Sequence, residues 1–231
     1  MIAVGKLNES YLQVSCERHI AYELNEYFSF KVPNFQFHPK FKAKMWDGKI
    51  RLFNIQTGQM YLGLYPYLKD WAEKHSYKLQ SDILEARKLS GMGVNEIKEF
   101  FDSLKLHCKN KPIIPREYQI ASFIQCVKQE RALLLSPTSS GKSLVIYSLI
   151  RWHQQFIEND KILVLVPTTN LVTQMYNDFK DYSSELSEWN AEEQCHMIYS
   201  GKEKEAEKQI YISTWQSLFR LGVPYFKKFG M

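Results

Sequence analysis

Between Leu133 and Ile150 the sequence reads LLLSPTSSGKSLVIYSLI, with a glycine, a lysine and a serine in succession between an apolar run and a helix-like run. That order suits a phosphate anion. Backbone N–H groups of a turn can face the anion, a lysine can reach its outer oxygens, and a hydroxyl can hold Mg²⁺. Gly141 lets the backbone approach closely, Lys142 brings the charge, and Ser143 is the candidate metal ligand. Pro137, Thr138, Ser139 and Ser140 supply the turn. Ser136 stands where the usual phosphate-loop pattern begins with glycine, and none of the three roles needs glycine there. A serine-rich turn that holds GKS by chance is the alternative. An expected strand directly before and an expected helix directly after argue against it.

Three further stretches carry usable chemistry. In PREYQ, Pro115 to Gln119, the Gln119 amide can read an adenine edge while Arg116 and Tyr118 pack around the base; a polar helix start is the alternative. LVPTTNLVTQ, Leu165 to Gln174, puts Thr168 and Thr169 where a strand gives way to a helix. Their hydroxyls and N–H groups suit a nucleic-acid phosphate there, although one threonine would serve as an ordinary cap. ISTWQSL repeats the device, with Thr214 and Gln216 at a strand end.

These residues need elements to hold them. From about residue 113, RALLLSP, KILVLVPT, CHMIYS and QIYISTW read as strands, and 142–157 and 170–181 as helices. Continuous apolar strands alternating with helices predict an α/β domain with a parallel sheet covered on both faces. Residues 1–80 read instead as a small α+β domain. It would hold a YLQVSC strand, a helix over ERHIAYELNEYF, a hairpin formed by KIRLFNI and MYLGLY, a helix over PYLKDWAEKHS and a closing YKLQ strand. Between them, 81–112 reads as a connector with a flexible SGMG and a helix capped by Asn95.

The chain has 231 residues, 45% of them apolar, which excludes wholesale disorder. The net charge of +5 permits a polyanionic partner without demanding one. Four scattered cysteines suggest neither zinc nor a disulfide framework, and His75, His107 and His196 have no metal-ligand partners at useful spacing. There is no membrane-length apolar run and no signal peptide, so a cytoplasmic protein is expected.

Taken in order, these stretches resemble the motifs of superfamily-two helicases. Pro115–Gln119 is similar to the adenine-recognition motif, Ser136–Ser143 to motif I, Val166–Gln174 to motif Ia and Ser213–Leu218 to motif Ic. YSGK, Tyr199 to Lys202 with Gly201 inside it, sits where motif Ib falls. FHPKFKAKMWDGKIRLF, Phe37 to Phe53, resembles the N-terminal domain of the UvsW-type DNA helicases of T-even-like phages. The resemblance implies a RecA-like P-loop domain at 113–231 that uses ATP and Mg²⁺. It implies nucleic-acid contacts at Thr168, Thr169, Gln174, Gly201 and Thr214, and action on branched DNA by fork regression, junction migration and R-loop unwinding. The acidic segment such motors carry next lies beyond Met231. The chain is therefore expected to be part of a longer enzyme, and to be nearly inactive as an ATPase by itself. An RNA helicase, a restriction-system translocase or a chain that only binds nucleic acid are the alternatives.

The basic run has its own chemistry. Lys40, Lys42, Lys44, Lys49 and Arg51 fall within a dozen residues, interleaved with Phe37, Phe41, Trp46 and Phe53. In an extended segment Lys40, Lys42 and Lys44 would share one face, a cationic ridge suited to a DNA backbone. The alternative is a solvated strand face whose aromatics fill a small core, which is the role expected of Trp46 and Phe53. Asp47-Gly48 reads as the centre of a tight turn. SGKEKEAEK, Ser200 to Lys208, reads as a solvated helical turn.

Overall fold

A computed structural model describes residues 1–231 except 9, 83–92, 130, 157–160 and 200; the SGMG segment lies almost entirely outside the described residues. The chain divides into two compact units, Met1–Glu85 and Ala86–Met231.

The first unit runs β1 (Ile2–Lys6), β2 (Tyr11–Cys16), α1 (Arg18–Tyr27), β3 (Ser29–Lys31), α2 (Pro39–Lys42), β4 (Lys49–Arg51), β5 (Gln59–Tyr61), α3 (Tyr65–Lys74) and β6 (Leu79–Ser81). Its main sheet has the order β5-β2-β1-β6. Val4 lies opposite Val14 in the antiparallel β1–β2 pair, while β6 joins β1 in parallel. Strand alternation puts Ile2, Val4, Leu12 and Val14 into one core, which Ile20 and Leu24 of α1 and Leu68 and Trp71 of α3 complete.

Two expectations fail in this unit. KIRLFNI and MYLGLY do not form a two-stranded hairpin: β4 pairs with β3, β5 pairs with β2, and only the Phe53–Met60 bridge joins the two runs. Asn54 takes up the turn, its side chain accepting from the N–H groups of Gln56 and Thr57. The basic run is helical where an extended ridge was expected. Pro39 opens α2 with its preset φ, and His38 Nδ1 accepts from Lys40 N at 3.2 Å. The period-2 spacing of the three lysines therefore does not put them on one strand face.

The second unit runs α4 (Val94–Ser103), β7 (His107–Cys108), β8 (Lys111–Pro112), α5 (Glu117–Lys128), α6 (Lys142–Phe156), β9 (Ile162–Val166), α7 (Thr169–Tyr182), α8 (Ala191–Gln194), β10 (Cys195–Ile198), β11 (Ile210–Thr214), α9 (Trp215–Leu218) and α10 (Val223–Phe226). Its three-stranded sheet has the order β10-β11-β9, parallel throughout. The central strand β11 is buried along its whole length. The larger of its hydrophobic clusters gathers Val164 of β9, Ile212 of β11, Tyr147 and Ile150 of α6, and Val172 and Phe179 of α7.

The helix expected in the connector is present as α4, and Ile97, Phe100, Phe101 and Leu104 sink it into this same core. Asn95 does not cap it. Gly93 is the cap, and Glu96 accepts from its N–H at 3.1 Å, leaving Asn95 inside the helix. RALLLSP forms no strand, because a strand needs a hydrogen-bonded neighbour and none pairs with 131–137 among the described residues. Leu133 and Leu135 are exposed there. Residues 201–208 are not helical either. Carbonyls that a helix would use internally accept from elsewhere: Glu203 from His196, Lys204 from Tyr225, and Ala206 from Lys161 and Tyr211. Among the described residues no helix is long and apolar enough to cross a membrane.

Candidate functional site

The loop before α6 turns twice through the left-handed region, at Ser139 (φ 62°) and Gly141 (φ 74°). A Cβ at Gly141 would also stand 2.3 Å from Nε2 of Gln119, so that side chain would have to move. The loop is fastened to the start of α5. Gln119 Nε2 donates to Ser140 O at 3.0 Å, and the Tyr118 hydroxyl donates to the same oxygen at 2.9 Å. The other end of the Gln119 amide accepts from Arg116 N at 2.9 Å, and Arg116 Nη1 reaches the Tyr118 hydroxyl at 3.5 Å.

Pro115–Gln119 and the Gly-Lys-Ser turn thus form one site. Both ends of the Gln119 amide are used within the chain. Beside this junction lies a cavity of about 210 Å³ lined by Tyr118, Ser136, Ser140 and Lys142. The Lys142 ammonium is folded onto the loop, 2.7 Å from Pro137 O and 3.3 Å from Ser136 O. A phosphate bound in the turn would replace these two carbonyls as its partner. Pro137, Thr138 and Ser139 are exposed, while Ser140 is half-buried beneath the turn.

Ser143 has a partner that sequence reasoning missed. Its Oγ lies 2.9 Å from the Tyr182 hydroxyl, and Asp178 stands one helical turn earlier on α7. Burial pushes the Asp178 carboxyl up, the Ser143 hydroxyl opposes this, and neighbouring Asp181 adds to the rise. The only cue in the sequence is the i, i+4 spacing of Asp178 and Tyr182. The donor set suits Mg²⁺ that arrives with a nucleotide. Ser143 offers one half-buried oxygen at a helix start, and the described residues contain no cluster of three His, Cys, Asp or Glu able to hold an ion alone.

The expected nucleic-acid residues divide into two groups. Thr168 caps α7, its Oγ1 accepting from Leu171 N at 3.4 Å, and Thr169 opens the helix. Both follow the C-terminal end of β9 and both are exposed, as is Gln174. Gly201 sits at φ 82° in an exposed turn closed by Lys202 N onto Tyr199 O at 3.0 Å. Thr214 departs from expectation. It is buried, with Oγ1 2.9 Å from Ser217 Oγ, so its hydroxyl is used inside the fold and the exposed side chains there are Trp215 and Gln216.

The five cations of the first unit divide as well. Lys49 pairs with Glu26, and Arg51 pairs with Asp47 while its Nε donates to Asn25. Lys40, Lys42 and Lys44 are exposed, with no carboxylate within ion-pair distance among the described residues. Asp47-Gly48 is not the centre of a two-residue hairpin turn: the chain bends at Gly48 (φ 80°), Lys49 N donates to the Asp47 side chain Oδ1 at 3.1 Å, and Val32 N donates to Gly48 O at 2.9 Å. Phe53 is core and Trp46 is half-buried, its indole N–H donating to Lys49 O at 2.8 Å.

Comparison with known proteins fits this division. Residues 2–82 match the family model described as DNA helicase UvsW, N-terminal, and residues 94–223 match the type III restriction enzyme, res subunit. A crystal structure of the UvsW helicase from bacteriophage T4 superposes with a TM-score of 0.82 at 30% identity, over 100% of this chain and 80% of that one. The chain belongs to the UvsW helicase family. A second T4 UvsW crystal structure gives a TM-score of 0.83 at 29% identity, over 46% of its chain. The curated ATP-dependent DNA helicase uvsW of Enterobacteria phage T4 is 32% identical over 228 residues, which are 96% of this chain and 43% of that protein. This UvsW-family chain thus spans less than half the length of that curated relative. The second family match begins at the first residue of α4, the helix that packs into the second unit's core.

Proposed function

We propose that this chain supplies the nucleotide-binding loop and one DNA-tracking face of an ATP-driven helicase that remodels branched DNA in phage recombination, repair and replication, in the host cytoplasm. The observation that carries this reading is the fastening of the Gly141–Ser143 turn to Gln119 through Ser140 O. It joins a base-recognition segment to a phosphate cradle in a member of a helicase family.

Lys142 exchanges the Pro137 and Ser136 carbonyls for β- and γ-phosphate oxygens and neutralises charge on the transferring phosphoryl. Ser143 Oγ would hold Mg²⁺, which would supply positive charge to the phosphate oxygens. Arg116 and Tyr118 flank the base, and the Gln119 amide meets its edge. Thr168, Thr169 and Gln174, with the Gly201 turn, meet the phosphates of one strand. Lys40, Lys42 and Lys44 meet DNA from the first unit.

Nucleotide binding by Lys142→Ala tests the loop. The variant should lose ATP binding, measured by titration with a fluorescent ATP analogue, and keep its affinity for a forked duplex, because Lys142 faces the loop and not the Thr168 end of α7. Unchanged nucleotide affinity would sink the assignment. Where ATP hydrolysis is measured, its stimulation by DNA should be greater with a forked than with a linear duplex.

A further inference from the structure

Residues 32–48 form a lobe between β3 and β4, closed at its base where Val32 N donates to Gly48 O at 2.9 Å. The lobe has its own small aromatic core. Phe35 and Phe41 meet edge to face at 4.7 Å, His38 and Trp46 at 5.2 Å, and the Phe35 ring fills the space beside Gly48. Backbone bonds from Phe37 to Asn34, Lys42 to His38, Lys44 to Phe41 and Met45 to Lys40 complete it.

This framework leaves outside what a fold normally covers. Phe37 is 67% exposed and Met45 78% exposed, on the same lobe as the unpaired Lys40, Lys42 and Lys44. Isolated exposed apolar residues are ordinary on a protein surface. Two large ones among three unpaired cations on one short, internally braced lobe match a polyanion with flat apolar groups between its charges. Duplex DNA offers the charges but keeps its base faces stacked. Unpaired DNA offers both, and base–aromatic stacking with backbone cations is the general chemistry of single-strand binding.

We propose that the 32–48 lobe binds the unpaired nucleobases next to a DNA junction, with Phe37 as the stacking platform, Met45 as its apolar flank, and Lys40, Lys42 and Lys44 on the adjoining phosphates. The proposal rests on the reading that the first unit meets DNA, and deepens it from backbone contact to recognition of the unpaired strand.

The test uses the whole chain with three probes: a forked duplex carrying 2-aminopurine at its first unpaired position, a single strand, and a blunt duplex. Phe37→Ala should weaken fork and single-strand binding roughly 5- to 100-fold, the span of one lost stacking contact. It should leave blunt-duplex affinity and the salt slope unchanged. Phe37→Trp should keep affinity, and its added indole should be quenched when the single strand binds. Trp46 fluorescence and a melting curve verify that each variant folds. If Phe37→Ala is silent while Lys40→Ala/Lys42→Ala/Lys44→Ala weakens binding, the lobe reads only the backbone and the stacking proposal is overturned. If both are silent, the first unit does not meet DNA and the underlying reading fails with it. Equal loss on all three probes also overturns the proposal.

Discussion

The Tyr182 hydroxyl lies 2.9 Å from Ser143 Oγ, joining the last residue of α7 to the first turn of α6. The same helix α7 opens at Thr168 and Thr169. A bond between buried or half-buried hydroxyls contributes about 1 kcal/mol. Tyr182→Phe should therefore lower the melting temperature by about 2–4 °C for a chain of this size, and leave nucleotide binding in place because Lys142 and the loop N–H groups, not Tyr182, would meet the phosphates. Ser143→Ala should act differently. Nucleotide affinity measured with Mg²⁺ should fall to the value measured without it. A Ser143→Ala variant that still responds to Mg²⁺ would remove Ser143 as the metal ligand.

Gly141→Ala probes the junction with α5. The new Cβ would meet Gln119 Nε2 at 2.3 Å, at a φ of 74°. Left-handed strain for a non-glycine residue costs about 1–3 kcal/mol, and displacement of Gln119 breaks its bond to Ser140 O. Both stability and nucleotide affinity should drop. Adding Gln119→Ala should restore part of the stability by clearing the clash, but not the affinity. Thermal melts of the single and double variants, each with nucleotide titration, decide this.

The Gly141 turn and the start of α7 were legible because each is a local pattern. Gly141-Lys142-Ser143 needs only its own turn, and VPTT needs only the end of β9. What the sequence hid depends on distance or on competing local rules. Tyr182 meets Ser143 from 39 residues away, and the i, i+4 spacing of Asp178 and Tyr182 does not say which residue they face. The lysine ridge read as a strand because alternation at Lys40, Lys42 and Lys44 outweighed Pro39, which opens a helical turn there. RALLLSP has strand-like composition, but a strand exists only where another pairs with it. Thr214 matched a motif by type, yet its hydroxyl is buried against Ser217.

Asp47 gives the first unit a pH signature. Hydrogen bonds from the Arg51 guanidinium and from Lys49 N hold its carboxyl down, from 3.8 to about 2. A carboxyl lowered by folding stabilises the fold above its unfolded value, and that contribution is lost as pH falls through the folded value. The first unit should therefore lose stability between about pH 4 and pH 2, with Trp46 one residue away as the fluorescent reporter. Because the pair is solvent-exposed the effect should be small and should weaken in high salt. Asp47→Asn should flatten the pH dependence in that window, and an identical acid transition in the variant would show that the pair contributes nothing.

The salt response separates the five cations of the basic run. Lys49 and Arg51 are engaged by Glu26 and Asp47, so forming a phosphate contact would mean giving up a carboxylate. Lys40, Lys42 and Lys44 have no such cost. Each lysine on a phosphate adds about −0.7 to the slope of log K against log salt on a single strand and about −0.9 on a duplex, so three contacts give about −2 to −2.7. Lys40→Ala/Lys42→Ala/Lys44→Ala should flatten the slope on a forked duplex by about that amount and leave the melting temperature unchanged, since all three side chains are exposed. Lys49→Ala/Arg51→Ala should do the reverse, with little change in slope but a lower melting temperature, because Arg51 also braces Asn25 and the Asp47 turn. Fluorescence anisotropy across a salt series, with melting curves on the same samples, distinguishes the two groups; equal flattening by both variants would mean that the ion pairs open when DNA binds.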